Sequence, residues 1–185
     1  MSDYYFKSNR LGFRKFIPED LPVFAQMNAD EAVMKFFPFP LTKAESDALA
    51  QRINEHFDKH QFTYFAVETL QNQAFIGFVG LARQEYETAY SPFVDIGWRL
   101  KKTAWGQGFA TEGAKACLQY AFETIGLEEI YAVATLANHQ SENVMQKIGM
   151  KKLEDFDHPK IAVGHPMRRC MMYKISKADY WESEN

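Results

Sequence analysis

Two glycines, Gly106 and Gly108, stand where a strand-like run of residues gives way to a helix-like run. Glycine lets the backbone turn tightly because it has no Cβ. The helix that follows leaves its first amide N–H groups without intrahelical partners, at the positive end of its dipole. Such an end binds anions, and a pyrophosphate suits it well. The stretch 103–113 therefore predicts either an anion site or a tight strand-to-helix turn that binds nothing.

Two common phosphate-binding loops fit this turn poorly. A Walker loop requires Gly-Lys-Ser/Thr, and the sequence contains no such triplet. A dinucleotide fingerprint requires a third glycine, but Thr111 stands at that position. The turn also follows about a hundred residues of other elements instead of opening a first βαβ unit. These residues therefore favour neither nucleoside triphosphate hydrolysis nor dinucleotide binding.

The strands around the turn are predicted from the spacing of apolar residues. Strict alternation at 93–100 places Asp95, Gly97 and Arg99 on one face of a strand. Other alternating or apolar runs predict strands at 10–17, 129–136 and 168–175, and a hairpin of 62–68 with 74–82. Since a helical stretch separates 93–100 from 129–136, we expect these two strands to be parallel neighbours.

Helices are predicted from capping residues and from apolar stripes. One begins at Pro18, and Thr42-x-x-Glu45 is a capping box for a second helix that ends near residue 58. The glycine turn opens a third helix over 109–125, which Gly126 ends, and a short fourth helix ends at Gly149. Strands and helices in this order predict a mixed α/β domain.

Composition indicates one globular domain spanning residues 1–185. The chain is 46% hydrophobic and 24% charged, and its formal charge of -3 argues against nucleic acid as a ligand. Cys117 and Cys170 are typical of buried thiols in a reducing compartment. We expect no signal peptide, because the first eight residues contain no long apolar run, and no stretch reaches the roughly 20 apolar residues that a membrane span requires. We expect a cytoplasmic monomer or homodimer that has no metal site and does not contact a membrane.

Three motifs in order resemble the GNAT superfamily of acetyl-CoA-dependent N-acetyltransferases. They are Asp95-Ile-Gly-Trp-Arg-Leu, Trp105-Gly-Gln-Gly-Phe-Ala-Thr-Glu and Asn138-x-x-Ser141, the last leading into a segment that ends at Met150. The superfamily signature Gln/Arg-x-x-Gly-x-Gly/Ala falls on residues 105–110, with Trp at its first position. The chain looks most like the RimJ/RimL-like branch, which includes the ribosomal-protein N-terminal acetyltransferases.

The resemblance implies a fold and a co-substrate. The fold would be a mixed α/β (α+β) GNAT-like domain, whose mostly antiparallel sheet of about 6–7 strands has a splayed parallel pair and about 4 flanking helices. Acetyl-CoA would bind with its pyrophosphate on amides of residues 107–111 and its pantetheine arm along the backbone of 98–100. The implied cofactor-binding residues are Trp98, Leu100, Trp105, Gly106, Gln107, Gly108, Phe109, Ala110, Thr111, Asn138 and Ser141. The alternative for 93–100 is an ordinary central strand whose backbone hydrogen bonds are all made.

Asp95 and Ser141 are the predicted catalytic residues. The family often carries an acid at the position of Asp95, which would act as the general base; the alternative is a solvated acid, or one paired with Arg99. Many members use a tyrosine to protonate the leaving thiolate, but Met145 stands there and cannot donate a proton. Ser141 would substitute for it, or would cap the helix that follows. Asn138 would contact the pantetheine arm, or would be a turn residue only.

The predicted acceptor pocket is aromatic. Its residues are Phe36, Phe37, Phe39 and Tyr64, which would wall the pocket or plug the core. His158 and His165 lie in a loop-like stretch, 154–167, where each could act as a base or be a plain loop residue. Whether this stretch is a lid does not follow from the sequence.

The sequence predicts an N-acetyltransferase that acetylates a primary amine by direct attack in a ternary complex. Branch resemblance favours a protein N-terminal amine over a small amine as acceptor. The alternative is a CoA-binding sensor or interaction module without catalysis, and a third possibility is an NAD-linked oxidoreductase.

Overall fold

The computed structural model describes residues 3–184, so residues 1, 2 and 185 of the predicted domain lie outside it. Within the described residues, eight strands form one sheet in the order β1-β2-β3-β4-β5-β6-β8-β7. The strands are β1 (Phe6–Lys7), β2 (Leu11–Arg14), β3 (Tyr64–Thr69), β4 (Phe75–Gln84), β5 (Phe93–Leu100), β6 (Glu129–Thr135), β7 (Lys151–Asp157) and β8 (Arg169–Ser176). In this sheet β5 and β6 are the parallel pair, and the other neighbours are antiparallel. The predicted fold is confirmed, with slightly more strands than expected.

The four predicted helices form in the predicted order, and two short helices that were not predicted, Glu31–Met34 and Lys177–Glu184, are present as well. The helices are α1 (Leu21–Ala29), α2 (Glu31–Met34), α3 (Lys43–His60), α4 (Phe109–Gln119), α5 (His139–Lys147) and α6 (Lys177–Glu184), and a π-helical turn (Tyr120–Ile125) extends α4. Thr42 and Glu45 form the predicted capping box of α3. Gly126 ends the extension of α4 at a φ of 78°, a left-handed conformation that glycine adopts without strain.

The sequence did not predict two of the strands, and both of them lie at edges of the sheet. The strand β7 carries Lys151, Lys152, Glu154 and Asp155, and charges of this kind are how edge strands avoid pairing with other chains. The prediction of a loop over 154–167 is therefore wrong for 154–157, which belong to β7. The strand β1 has two residues, too few for alternation to be recognised.

The parallel pair separates soon after it forms. Between β5 and β6 the paired residues are Asp95 and Tyr131. Between β5 and β4, by contrast, every residue of β5 has a partner. The helix α4 packs on the sheet so closely that a Cβ on Gly113 would lie 3.1 Å from Val79. This packing holds the start of α4 beside the gap between β5 and β6.

Among the described residues, no helix is both long and apolar enough to cross a membrane.

Candidate active site

A cleft of about 760 Å³ lies where β5 and β6 separate. The elements that line it are the segment 32–38, β3 to β6, the glycine turn, the first turn of α4, the length of α5, the connection between β7 and β8, and the start of β8. The predicted site residues that line this cleft are Phe36, Phe37, Tyr64, Asp95, Trp98, Leu100, Trp105, Gly106, Gly108, Phe109, Ala110, Thr111, Asn138 and Ser141. Folding therefore brings together residues from both halves of the chain.

Two predicted residues are not in the cleft lining. Phe39 is 60% exposed and lies in an irregular segment between Pro38 and Pro40. Gln107 lies in the glycine turn, where its backbone carbonyl accepts a hydrogen bond from Arg10.

The glycine turn has the backbone that its sequence predicts. Gly106 and Gly108 have φ values of 73° and 78°, in the left-handed region that favours glycine. Gly108 is the N-cap of α4, and the backbone N–H of Glu112 donates to its carbonyl. The amides of residues 109–111 precede that first helical hydrogen bond, and they lie at the positive end of the helix dipole beside the cleft.

The side chain of Arg10, which precedes β2 in the sequence, holds the glycine turn through three contacts. Its Nη2 donates to the Gln107 carbonyl at 3.0 Å, and its Nε donates to Glu112 at 2.6 Å. Its guanidinium carbon lies 4.4 Å from the centre of the Phe109 ring, a cation–π distance. The ion pair offsets the negative charge of Glu112, which would otherwise oppose an anion at the start of α4. Since Arg10 and Glu112 are 102 positions apart, no local pattern predicts this contact.

The backbone of β5 presents polar groups to the gap. The N–H of Lys101 donates to Ile76 of β4 at 2.9 Å. Hydrogen-bonding direction alternates along an antiparallel strand, so Trp98 and Leu100 direct their backbone groups the other way, towards β6. The Leu100 carbonyl accepts a 2.8 Å hydrogen bond from the Trp105 indole, which gives the tryptophan at the first signature position a structural role. The backbone of Trp98 faces the cleft.

Asn138, not Ser141, caps α5. The Asn138 side chain accepts a 3.1 Å hydrogen bond from the Ser141 backbone N–H. The alternative of Ser141 as the capping residue is therefore wrong, because the side-chain amide oxygen of Asn138 fills that role. Met145 is 2% exposed and packs in the main core.

Asp95 is buried and lines the cleft. The Tyr64 hydroxyl donates to its Oδ1 at 2.6 Å, and Gln84 Nε2 donates to its Oδ2 at 3.1 Å. Burial raises the pKa of Asp95 to about 6, and these hydrogen bonds offset only part of that effect. The alternative of a solvated or Arg99-paired surface acid is wrong, since Asp95 is buried and hydrogen-bonded to Tyr64 and Gln84.

Gly97 makes room for the tyrosine that holds Asp95. A Cβ on Gly97 would lie 3.1 Å from the Tyr64 ring, so glycine at this position allows the close approach of that side chain. The Tyr64 ring also stacks on Phe78, with 5.2 Å between centroids. The position of the Tyr64 hydroxyl is therefore fixed by packing on two sides.

We expect Asp95→Asn to stabilise the protein at pH 7 by up to about 3 kcal/mol, because a pKa raised from 3.8 to about 6 disfavours the ionised folded state. The folded wild type binds the proton more tightly than the unfolded chain does. Its stability relative to the variant therefore falls as the pH rises from about 4 to 6. Denaturant unfolding at pH 4 and pH 7 measures this difference, and equal differences at both pH values would contradict it.

The connection 158–168 between β7 and β8 contributes His158, Lys160, Ile161 and Met167 to the cleft. It is closed at its base, where the His158 N–H donates to the Arg168 carbonyl at 2.8 Å. Burial lowers the pKa of His158, so this imidazole is neutral near pH 7. His165 is not in the lining.

The sequence did not predict three neighbours of Asp95, which are Gln84, Tyr86 and Lys160. They come close to Asp95 only in the folded chain.

Comparison with known proteins gives a consistent family. A family model described as an acetyltransferase (GNAT) domain matches residues 10–151. The chain is 30% identical over 145 residues to a Bacillus subtilis protein named uncharacterized N-acetyltransferase YnaD, a match that covers 78% of this chain and 81% of that protein.

Solved structures share the fold. A GNAT-family acetyltransferase from Bacillus anthracis superposes with a TM-score of 0.74 at 26% identity, covering 93% of this chain and 98% of that one. The spermidine N-acetyltransferase of Vibrio cholerae, solved with CoA and spermine, superposes with a TM-score of 0.73 at 20% identity, covering 92% and 98% of the two chains.

Proposed function

Because the chain belongs to the acetyltransferase (GNAT) family, we propose that it transfers an acetyl group from acetyl-CoA to a primary amine by direct attack in a ternary complex. One observation carries this proposal: the glycine turn, the splayed β5 backbone and the buried Asp95 line a single cleft. We also propose that residues 1–185 are one transferase domain acting in the cytoplasm. The single sheet and the two buried thiols support this.

Acetyl-CoA would bind along two backbone surfaces. The pyrophosphate would accept hydrogen bonds from amides at the start of α4, and Arg10 would hold that turn in place. The pantetheine arm would pair with the Trp98 backbone in the gap between β5 and β6, as an added strand does. Asn138 and Ser141 line the same cleft from the first turn of α5.

The chemistry requires a neutral amine and a leaving thiolate. Asp95 would take a proton from the ammonium form of the acceptor, since its pKa of about 6 leaves it ionised at neutral pH. The amine nitrogen then attacks the thioester carbonyl carbon, a C–N bond forms and the C–S bond breaks. The Ser141 hydroxyl would give the thiolate its proton and recover one from the acetylated nitrogen through solvent.

For the acceptor, resemblance to the RimJ/RimL-like branch favours a protein N-terminal amine. The Vibrio cholerae enzyme of the same fold is named for a polyamine, so small amines belong in the same test. A non-catalytic CoA sensor is the second candidate, and it is favoured by Met145 at the position where many family members carry a tyrosine.

The two candidates differ in turnover. We expect release of free CoA thiol when the protein is mixed with acetyl-CoA and a panel of N-terminal peptides and small amines. Detection with a thiol reagent and mass spectrometry of the acetylated amine measure this release. Tight CoA binding in calorimetry without thiol release on any amine would instead support the sensor.

A further inference from the structure

Arg99 is a half-buried cation that lines the cleft beside the proposed acceptor wall. Its Nη1 donates to the Asn28 side chain at 2.8 Å, and its guanidinium carbon lies 4.0 Å from the centre of the Phe37 ring. Within residues 3–184 it forms no ion pair, and its Nε atom is buried without a hydrogen-bond partner. Arg99 lies on the same face of β5 as Asp95.

Arg14 shows what a structural arginine looks like in this fold. It is 6% exposed, and it pairs with Asp20 at 2.6 Å and with Glu68 at 2.7 Å. Two carboxylates thus compensate one internal guanidinium. Arg99 has an amide and aromatic rings instead, which leave its charge largely uncompensated.

A partly buried cation without a counter-ion costs stability. Burial lowers the pKa of Arg99 to about 10, so the group is still protonated at neutral pH. Its planar fork suits a carboxylate or a phosphate, each of which accepts two parallel hydrogen bonds. The charge and the unmet donor both point to an anion that is supplied from the cleft.

The other charged residues that line the cleft also favour an anionic ligand. They are Asp95, Lys147 and Lys160, so with Arg99 the cleft carries three cations and one acid. Such a lining attracts anions and repels a molecule with several ammonium groups. Asp95 and Arg99 are four residues apart on one strand, about 13 Å between Cα atoms at the usual rise, a span that a small acceptor can bridge.

We propose that Arg99 binds an anionic group of the acceptor, so that the acceptor carries a carboxylate or a phosphate in addition to its reactive amine. This inference rests on the proposed function, because it concerns the acceptor half of that site. A polyamine lacks the anionic group and meets three cations in the cleft. The acid-bearing amine is therefore the preferred class of substrate.

The test compares amines that differ only in the acid. The carboxylate series is ω-amino acids of increasing length against alkylamines of matched length; phosphoethanolamine against ethanolamine tests the phosphate, and spermidine represents polyamines. We expect kcat/KM to favour the best acid-bearing amine over its neutral partner by at least about tenfold. Arg99→Gln should raise KM for that amine about ten- to hundredfold, while KM for acetyl-CoA stays the same.

Two further variants separate binding from folding. Arg99→Lys keeps the charge and loses the fork, so part of the preference should return. Arg83→Gln removes the same charge from an exposed position outside the cleft, and it should leave the preference unchanged. Circular dichroism and the melting temperature confirm that each variant is folded.

A preference that Arg99→Gln leaves intact, or spermidine as the best acceptor, would overturn this inference while the transferase activity stands. A binding measurement tests the anion site even if the protein shows no transferase activity. Calorimetry of the CoA-bound protein should show acid-bearing amines binding to wild type and more weakly to Arg99→Gln. If they bind and no amine is acetylated, the proposed function fails but the anion site is supported; no binding and no turnover would overturn both.

Discussion

Asp95→Asn is expected to lower kcat for acetyl transfer by roughly 10²- to 10³-fold near pH 7, the usual contribution of a general base. At that pH an α-amino group, with a pKa of about 8, or a lysine-like amine, at about 10.4, is mostly protonated. The carboxylate is therefore needed to take the proton. In wild type, kcat should rise through about pH 6 as Asp95 ionises. The deficit of the variant should shrink towards the pKa of the amine, where the acceptor is already neutral.

Rate measurements from pH 5.5 to 10 with one amine, and saturating acetyl-CoA, give this profile. Asp58→Asn is the matched control, because this aspartate is exposed on α3, outside the cleft lining. It should leave the profile unchanged. Deficits of equal size at every pH would mean that another group takes the proton, and His158, neutral and in the same cleft, would be the next residue to replace.

The activity and stability effects of Asp95 have one physical origin. Burial raises the pKa of the Asp95 carboxylate towards the range in which a base is effective, and the hydrogen bonds from Tyr64 and Gln84 offset only part of that rise. The same burial makes the ionised folded state less stable. A variant that gains stability at pH 7 and loses turnover there would show that the residue is retained for its chemistry.

Sequence patterns predicted the site where the relevant contacts are local. The strand β5, the glycine turn and the capped start of α5 each lie within a short window in which alternation, left-handed glycines or a capping side chain are visible. The cap of α5 shows the limit of such local patterns, because Asn138 fills the capping role that was considered for Ser141. A cap can shift by three positions when two residues of similar preference stand near a helix start.

Contacts between distant segments were not predictable in this way. Arg10 reaches the glycine turn only after β2 joins the sheet, and Gln84 reaches Asp95 only through the register of β4 with β5. Arg99 shares a strand face with Asp95, a pattern that suggests an ion pair between them. The Tyr64 ring over Gly97 and the Asn28 side chain direct the two groups to different partners. Packing, and not spacing, decides the electrostatics of the cleft.

Gly108→Val is expected to raise KM for acetyl-CoA by at least about tenfold, with a smaller effect on kcat. Gly108 has a φ of 78°, a conformation in which a β-branched residue is strained. An added Cβ would also lie 3.6 Å from Arg10 Nη2, so further branching crowds the side chain that braces the turn. Relief of that strain would rotate the amides at the start of α4 out of the geometry that a pyrophosphate needs.

Gly126→Val provides a matched control. Gly126 has the same φ of 78°, and an added Cβ there would meet nothing within 4 Å. Both variants should therefore lose stability from the same backbone strain, about 1–3 kcal/mol, and retain native circular dichroism. Only Gly108→Val should weaken CoA binding in calorimetry, because Gly126 lies at the far end of the helix that Gly108 begins. Equal CoA affinity in the two variants would remove the glycine turn from the cofactor site, and the pyrophosphate would then have to bind elsewhere along the cleft.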